Sequence, residues 1–345
     1  LNQLDAMRAW GQEILTATGL ESNAVESTLR SLQYAEERGL SSHGYLRLPT
    51  YVSRLRAGGI AKIAELQIVS NLPALSIVDA DAGIGAYSGE FCADLAVSKA
   101  KEQGLGLVVA RNANHFGAAG YFVDRIATSG FLGVAVCNTD SVMCAPFGGR
   151  PILGSNPISI GVPAEVGARP ILDMATTEVS QGKIILARDR NEKIPLGWAV
   201  DSEGLQTTDP TDGLAGALLP SGGTKGFGLA LMVDCLVAIS GAQVSNLVSP
   251  LYGDPSEPQR LGHAFLAIAI DPVLSRDDYM AKVSNLVDAV HQSGLASATR
   301  PPMVPGEPEL ARMASQTEWT ADSTTVKQFR EISAQYSIEI PREFN

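Results

Sequence analysis

Histidine, cysteine and tryptophan are scarce in this 345-residue chain, with four, four and three copies, and each scarcity narrows the chemistry open to it. The cysteines, Cys92, Cys137, Cys144 and Cys235, never form a C-x-x-C pair. No H-E-x-x-H, no histidine pair at i and i+4 and no Cys/His cluster is present, so no metal site is expected. The thiols sit among apolar neighbours and read as reduced core residues of a cytoplasmic protein. No apolar run approaches the ~20 residues of a membrane helix, and LNQLDAMRAW lacks the basic start and apolar core of a secretory signal. Neither a membrane partner nor export is expected. The 26 Lys and Arg are outnumbered by 37 Asp and Glu, for a formal net charge of −11. The basic residues are scattered, so no nucleic-acid partner is expected. No G-x-S-x-G elbow offers a serine nucleophile, which sets hydrolase chemistry back.

What is present is globular in composition, 45% hydrophobic and 18% charged, and long enough for about two or three structural units around sizeable cores. Leu4, Met7, Trp10 and Ile14 share one helical face that stops at Gly19, and Asn23 with Glu26 makes a capping-box pattern for a second helix ending near Gly39. From there to about Ala269, short β-branched runs alternate with helical ones; LSIVDA, LGLVVAR, LGVAVCN, PISIGVP, KIILAR and HAFLAIAID are the expected strands. This is an α/β pattern. Between Arg188 and Pro220 the helical periodicity lapses into turns, which predicts a lid or a partner contact. Two helical stretches, RDDYMAKVSNLVDAVHQSG and TTVKQFREISAQY, flank the proline-rich RPPMVPGEPE.

Among the histidines, His43 and His115 stand in loops beside glycine, which lets a ligand approach closely. His263, at the start of a strand, and His291, near a helix end, read as satisfied structural residues. SSHGYLRLP collects Ser42, His43 and Arg47, with Pro49 placed to start a helix. Hydride transfer at a carbonyl needs an acid or base with a near-neutral pKa, and a carboxylate substrate needs a bidentate cation. The alternative is that Ser42 caps the turn and Arg47 makes a surface ion pair. NHFGAAGYFVDRIATSG leads small residues into a helix whose free N–H groups suit an anion such as phosphate, or merely pack closely. RPILDMATTEVSQGKI sets Asp173 and Lys183 on either side of a Ser/Thr-rich turn, and LLPSGGTKGFGLALMVDCL puts Lys225 in a glycine-rich turn that falls short of a P-loop. DAGIGAYSG, with Gly83, Gly85 and Gly89, misses the Rossmann spacing by one residue.

In order, the segments SSHGYLRLPTYVSRLRAGGI, RNANHFGAAGYF, CAPFGGRPILGSNPISIGVP, ILDMATTEVSQGKI, GWAVDSEGLQTTDP, LLPSGGTKGFGLALMVD and VPGEPE resemble the malate/L-lactate dehydrogenase family of the second type. The resemblance covers nearly the whole chain. That family also holds sulfolactate and ureidoglycolate dehydrogenases, diketogulonate reductase and cyclic-imine carboxylate reductases, and is unrelated to the Rossmann lactate and malate dehydrogenases. The resemblance implies an α/β fold of the L-sulfolactate dehydrogenase-like type, with a mixed sheet, non-Rossmann binding of NAD or NADP, and a helical unit built from both termini. It further implies a homodimer with the active site close to the subunit interface. The implied segments are 1–65 for the N-terminal helices and catalytic loop, 66–130 for an α/β segment, 131–275 for the cofactor-binding domain, and 276–345 for C-terminal helices completing the terminal unit.

The implied reaction is hydride transfer between nicotinamide and a small 2-hydroxy or 2-oxo acid such as malate, lactate or sulfolactate. By the same resemblance His43 would be the general acid/base, Ser42 its orienting partner, and Arg47 the binder of the substrate carboxylate. His115 would lie against substrate and nicotinamide, second in line for the base. Phe116, Gly117, Thr139, the run Ile171, Leu172, Asp173, Met174, Ala175, Thr176 and Thr177, the turn Thr224, Lys225 and Gly226, and the loop Pro305, Gly306 and Glu307 would hold the cofactor. Lys183, taken as catalytic, stands where the imine-reducing branch has an aspartate, which leans the reading to a hydroxy acid. Reduction of cyclic imines such as piperideine- or pyrroline-2-carboxylate, and a cofactor-binding protein without turnover, are the alternatives. In this family the glycines of DAGIGAYSG would serve a tight turn and close packing. Thr139 fills a position where serine is usual, and Tyr45 puts a ring beside His43 where smaller residues are common, which predicts a reshaped pocket.

Overall fold

The computed structural model describes residues 3–164, 169–271, 273–295, 299–315 and 323–342. In chain order these form α1 (Gln3–Ala17), α2 (Ser22–Glu37), α3 (Leu48–Ala57), β1 (Gln67–Asn71), β2 (Leu75–Asp79), α4 (Gly85–Gln103), β3 (Leu105–Ala113), α5 (Ala119–Thr128), β4 (Leu132–Cys137), β5 (Ile158–Gly161), β6 (Ile171–Met174) and α6 (Gln181–Asp189). They continue with β7 (Ala199–Val200), α7 (Pro210–Ala215), β8 (Ala217–Leu218), α8 (Thr224–Val237), β9 (Leu261–Ile268), α9 (Arg276–Gln292), α10 (Glu307–Ser315) and α11 (Ser323–Tyr336).

Seven strands make one mixed sheet in the order β1-β2-β3-β9-β4-β5-β6, and β7 pairs with β8 apart from it. Within the large sheet β2 and β3 run parallel, joined through α4, and the other neighbours are antiparallel. Successive strand residues point to opposite faces, and both faces are covered. Val108 and Ala110 of β3, Ala135 and Cys137 of β4, and Phe265 and Ala267 of β9 pack with Cys92, Ala96, Phe122 and Ile126 of α4 and α5. Val109, Val136 and Ala264, one step along the same strands, pack with Val233 and Val237 of α8. Burial on two faces is why these strands read as continuous apolar runs.

The terminal helices form a second core. Met7, Trp10 and Ile14 of α1, Leu29 of α2 and Leu55 of α3 cluster with Phe329 and Ile332 of α11. The Trp10 and Phe329 rings lie 4.9 Å apart, and Trp10 Nε1 donates to Ser333 Oγ at 2.9 Å. The tail thus closes the unit that the N-terminus begins.

Strand register decides where a site can lie. His263 pairs with both Ala110 and Cys137, and Ile158 pairs with both Val136 and Met174. So β3, β4 and β6 end, and β5 and β9 begin, along one edge of the sheet, and five loops converge there.

Several expectations are corrected. KIILAR is helical: Ile184 and Ala187 turn inward at a three-residue spacing while Lys183, Leu186 and Arg188 face outward. A short apolar run does not separate the two periods. Four strands, β1, β6 and the two-residue β7 and β8, lie outside the expected set; β1 is exposed along its whole length, so it carries no alternation to read. Glu21, not Asn23, precedes α2 and no side chain caps it; Glu26 instead pairs with Arg8 at 2.7 Å. The irregular segment holds the short α7, opened by Asp209, whose carboxylate accepts from the Thr211 and Asp212 amides, with Pro210 in its first turn. Cys92, Cys137 and Cys144 are buried free thiols as expected, whereas Cys235 is exposed.

DAGIGAYSG serves packing. A Cβ on Gly85 would stand 2.2 Å from the carbonyl oxygen of Asn114, and one on Gly89 would stand 2.5 Å from the Phe122 ring. Gly89→Ala is therefore expected to lower unfolding free energy by about 1–3 kcal/mol, the usual cost of overpacking, while dinucleotide affinity of the folded protein stays unchanged. Urea denaturation beside a fluorescence titration with NADH checks both, and a lost affinity with intact stability would reinstate the glycines as a ligand cradle.

Candidate active site

A cavity of about 610 Å³ opens where the strand ends converge. It gathers Ser42, His43, Arg47, His115, Phe116, Gly117, Thr139, Ile171 to Ala175, Thr177, Lys183, Pro305 and Gly306, residues spread over most of the chain. The remaining expected residues stand outside its lining. Thr176 is buried behind the wall. Thr224, Lys225 and Gly226 begin α8, and a Cβ on Gly226 would press to 2.4 Å from the Thr176 carbonyl oxygen; Ser221 is the residue of that turn that reaches the cavity. Glu307 uses its carboxylate within its own loop, accepting from Val304 N at 2.8 Å and pairing with His291 at 2.8 Å. That pair gives His291 the structural role expected of it and shapes the Pro305–Gly306 turn, whose Pro305 carbonyl accepts from Ile171 N at 2.9 Å.

The catalytic loop is clamped from below. Glu36, buried at the end of α2, accepts from Ser41 Oγ at 2.6 Å and from the Tyr45 amide at 3.1 Å. Gly44 is required between them, because a Cβ there would fall 1.9 Å from Glu36 Oε2. Tyr45 turns away from His43 into the terminal-helix core, so its ring does not reshape the pocket. His43 Nδ1 and Ser42 Oγ are 3.0 Å apart. Arg47 donates through Nε to the Ser42 carbonyl at 2.6 Å and through Nη1 to the Tyr252 hydroxyl. It has no carboxylate partner among the described residues.

His115 faces His43 with ring centroids 5.8 Å apart and planes inclined by 20°. Its amide donates to Gln259 Oε1 at 3.0 Å, and its Nδ1 lies 2.8 Å from the Tyr51 hydroxyl. Burial, and then the charge of Arg47, pushes His43 down to about 3 and holds His115 well below the usual imidazole range. His263 is also pushed down to about 3 by burial. It lies against Phe116 at 4.6 Å, and neither ring nitrogen has a hydrogen-bond partner among the described residues. The satisfied role expected of it is not found.

The cofactor wall meets a test of fit. Thr177 Oγ1 and Arg169 Nε both belong to cavity-lining residues and are buried without a hydrogen-bond partner, which suits a polar molecule such as a dinucleotide. Asp173 is exposed to the cavity; partial desolvation by the surrounding walls pushes its carboxyl up to about 6, and it accepts the Gly120 amide at 2.7 Å. That contact occupies the start of α5, where a phosphate was the sequence-level candidate, and a carboxyl there suits a ribose hydroxyl. Thr139 is held by Asn156 Oδ1 on its amide at 2.9 Å, while its Oγ1 accepts from Ser155 N at 2.9 Å. Ser155, Asn156, Asp234, Tyr51 and Gln259 escaped the sequence reading. The available signal was a single polar residue inside an apolar run, as in LALMVDCLV.

Two neutral imidazoles and a guanidinium that meets no carboxylate among the described residues line one cavity, an arrangement suited to a carboxylate-bearing CH–OH group, and together with the chain's relatives it gives the class as that of the NAD(P)-dependent hydroxy-acid oxidoreductases. The chain belongs to the malate/L-lactate dehydrogenase family, whose model matches residues 3–327. It is 36% identical to the L-sulfolactate dehydrogenase of Methanocaldococcus jannaschii over 330 residues, 95% of each chain. The solved structure of that enzyme superposes with a TM-score of 0.91 and 35% identity over 98% of each chain. The chain is also 36% identical to the (2R)-3-sulfolactate dehydrogenase (NADP(+)) of Chromohalobacter salexigens, over 80% of this chain and 82% of that one. It is 36% identical to the ureidoglycolate dehydrogenase (NAD(+)) of Escherichia coli K12, over 75% and 73%.

Buried His263 and half-buried His43 and His115 make stability depend on pH. His43 and His263 titrate near 3 when folded against 6.5 for a free imidazole, and His115 lies well below 6.5. Below 6.5 the unfolded chain binds these protons first, so stability present above pH 6.5 is lost as pH falls towards 3, at roughly 1.4 kcal/mol per pH unit for each histidine. Asp173, raised to about 6 from 3.8, binds its proton first when folded and offsets one histidine across that window. Asp140, also raised by burial, adds to the offset. Urea midpoints from pH 8 to 4 are expected to fall below pH 6.5 and to fall less steeply in His263→Leu. A flat profile would contradict the neutral histidines.

Proposed function

We propose that the chain catalyses reversible hydride transfer between NAD(P) and a small 2-hydroxy acid or its 2-oxo acid. The observation that carries this reading is Arg47, a guanidinium with no carboxylate partner among the described residues, lining one cavity with His43 and His115. A guanidinium so placed binds a carboxylate in two parallel hydrogen bonds. That anchor sets the adjacent carbon and its oxygen beside the two imidazoles. When bound, the nicotinamide takes or supplies the hydride. In oxidation the hydroxyl proton passes to His43, whose Nδ1 is steadied by Ser42; in reduction the same ring returns it to the carbonyl oxygen. Ile171 to Ala175, Thr177, Thr139 and the Pro305–Gly306 turn would hold the dinucleotide, with Asp173 at a ribose. Lys183 faces the same cavity from α6, whose Gly182 lies close to Ser42. An exposed ammonium there supports a substrate with a second anionic group, such as malate or sulfolactate, over a cyclic imine.

The reading includes a homodimer in the cytoplasm. Leu231 and Met232 of α8 and Ile239, in the turn just after it, are exposed apolar residues, with Met232 58% exposed. Lone chains seldom leave large apolar patches in water, and a second copy is the occupant the family suggests. No helix among the described residues is long and apolar enough to cross a membrane, and the four free thiols suit a reducing compartment.

Absorbance of reduced nicotinamide, with NADH and NADPH against oxaloacetate, pyruvate, sulfopyruvate and pyrroline- and piperideine-2-carboxylate, tests the reaction. Arg47→Leu is expected to raise KM for the oxo acid by about 10–100-fold, the worth of roughly 1.5–3 kcal/mol for a charge-assisted hydrogen bond. A substrate carboxylate on Arg47 removes one of the causes that depress His43, so in oxidation the acid limb of kcat is expected at higher pH than that of kcat/KM. Turnover of the cyclic imines alone would overturn the hydroxy-acid assignment. Met232→Asp is expected to halve the mass seen by light scattering; an unchanged mass removes α8 from the interface.

A further inference from the structure

The two active-site histidines differ in what their Nδ1 atoms meet. His43 Nδ1 meets Ser42 Oγ at 3.0 Å, a hydroxyl that can accept from an Nδ1–H and so leaves Nε2 unprotonated in the neutral ring. His115 Nδ1 meets two groups, the Tyr51 hydroxyl at 2.8 Å and the Gly117 amide, which donates to it at 3.3 Å. A backbone amide only donates. Gly117 directs it there from a left-handed turn, φ +86°, in which a Cβ would also strike Ser31 Oγ at 2.7 Å. With Nδ1 an acceptor, the proton of the neutral ring sits on Nε2. An imidazolium would set its Nδ1–H against the Gly117 N–H, and Arg47, His43 and His263 all act against a charge on this ring.

We propose that Tyr51 is a positioning residue which, with the Gly117 amide, locks His115 as the neutral Nε2–H tautomer, so that His115 donates a hydrogen bond to the substrate oxygen while His43 alone exchanges the proton. The inference rests on the hydroxy-acid reading and divides the labour within it. In oxidation the O–H proton goes to His43 Nε2, which is free to take it because the neutral ring's proton sits on Nδ1 and donates to Ser42 Oγ, and the resulting imidazolium keeps that hydrogen bond. His115 already carries its Nε2 proton, so it takes none, and it polarises the growing carbonyl. A buried phenol suits the holding role: Tyr51 is 3% exposed and burial pushes its hydroxyl well above the ordinary phenol range, so it keeps its proton. Tyr51 does not line the cavity, so it acts through His115.

The four histidines allow a direct test by long-range proton–nitrogen NMR of the uniformly ¹⁵N-labelled full chain, each ring assigned by its loss in a His→Gln variant. His115 is expected to show a protonated Nε2 and an acceptor Nδ1, unchanged from pH 8 to 5.5. This readout needs no turnover, so it decides the tautomer even if every substrate in the panel proves inert. In kinetics, His115→Gln supplies an amide donor near the Nε2 position and is expected to retain activity within about 10–100-fold, whereas His43→Gln loses about 10²–10⁴-fold from the missing acid/base and the larger loss of the two. Tyr51→Phe is expected to lower kcat about tenfold with cofactor KM unchanged, and to give His115 a mixed-tautomer or titrating signal, a change that a merely packing role would not produce. A protonated Nδ1 on His115 in the parent chain, a His115→Gln loss equal to that of His43→Gln, or a Tyr51→Phe chain with unaltered kcat and nitrogen shifts would each overturn the assignment.

Discussion

Asp234 is a carboxylate buried in an apolar helix, and the shape of the cavity depends on how its charge is met. Removing a charge from water costs several kcal/mol unless hydrogen bonds replace the solvent. Here Asn138 Nδ2 at 2.9 Å, Asn156 Nδ2 at 3.1 Å, and the Ser245 amide and hydroxyl at 3.0 and 2.7 Å all donate to it. Asn138 follows β4 and Asn156 leads into β5, so one carboxylate on α8 fixes two strand ends at the edge where the cavity opens. The far sides of the same amides are used as well. Asn138 Oδ1 accepts from Gly262 N at 2.8 Å, tying in the start of β9, and Asn156 Oδ1 accepts from the Thr139 amide. Asn156 tolerates a φ of +23°, a strain that its hydrogen bonds over-determine. The cofactor wall is thus continuous with the helix that carries the exposed Leu231 and Met232.

A second clamp holds the other end. Glu36 grips the catalytic loop from α2, and buried Arg54 on α3 donates to the Leu251, Asp254 and Glu257 carbonyls of the loop that brings Tyr252 to Arg47. Both clamps use a charged side chain on a rigid helix to satisfy backbone or hydroxyl groups of a loop. The loops carry the chemistry and the helices carry the precision. In the proposed reading a substrate carboxylate would meet a guanidinium whose orientation is set by neutral oxygens and which has no ion-pair partner among the described residues.

The legible part of this molecule was the part written in local pattern. Continuous apolar runs marked β2 to β5 and β9 because both sheet faces are covered, and the S-H-G-x-x-R stretch marked the loop because glycine, imidazole and guanidinium there have few packing uses together. KIILAR misled because its inward residues, Ile184 and Ala187, are too few to show a period, and the edge strand β1 gave no alternation because nothing covers it. Contacts distant in sequence left no local mark. Asp234 meeting Asn138, or Tyr51 meeting His115 across 64 residues, follows from strand order, and strand order is not written in any one segment. The glycines of DAGIGAYSG show the same limit from the other side: their spacing suggested a ligand, and their neighbours turned out to be Asn114 and Phe122.

The resting electrostatics of the site follow from these clamps. His43 and His115 are neutral, Asp173, though pushed up to about 6, keeps most of its negative charge near pH 7, and Arg47 lines the cavity beside the two imidazoles, with Asp140 and Lys183 also in the lining. In the proposed reading, an anion bound at Arg47 removes the smaller of the two causes that depress His43, while burial, the larger, stays in place, so the substrate itself would shift the acid/base group part of the way towards its working range. A neutral ligand in the same place would leave both causes acting on the ring. In that reading selectivity for a carboxylate would be exerted twice, once in binding at Arg47 and again in the proton transfer at His43, and the second selection would need no contact beyond those that achieve the first.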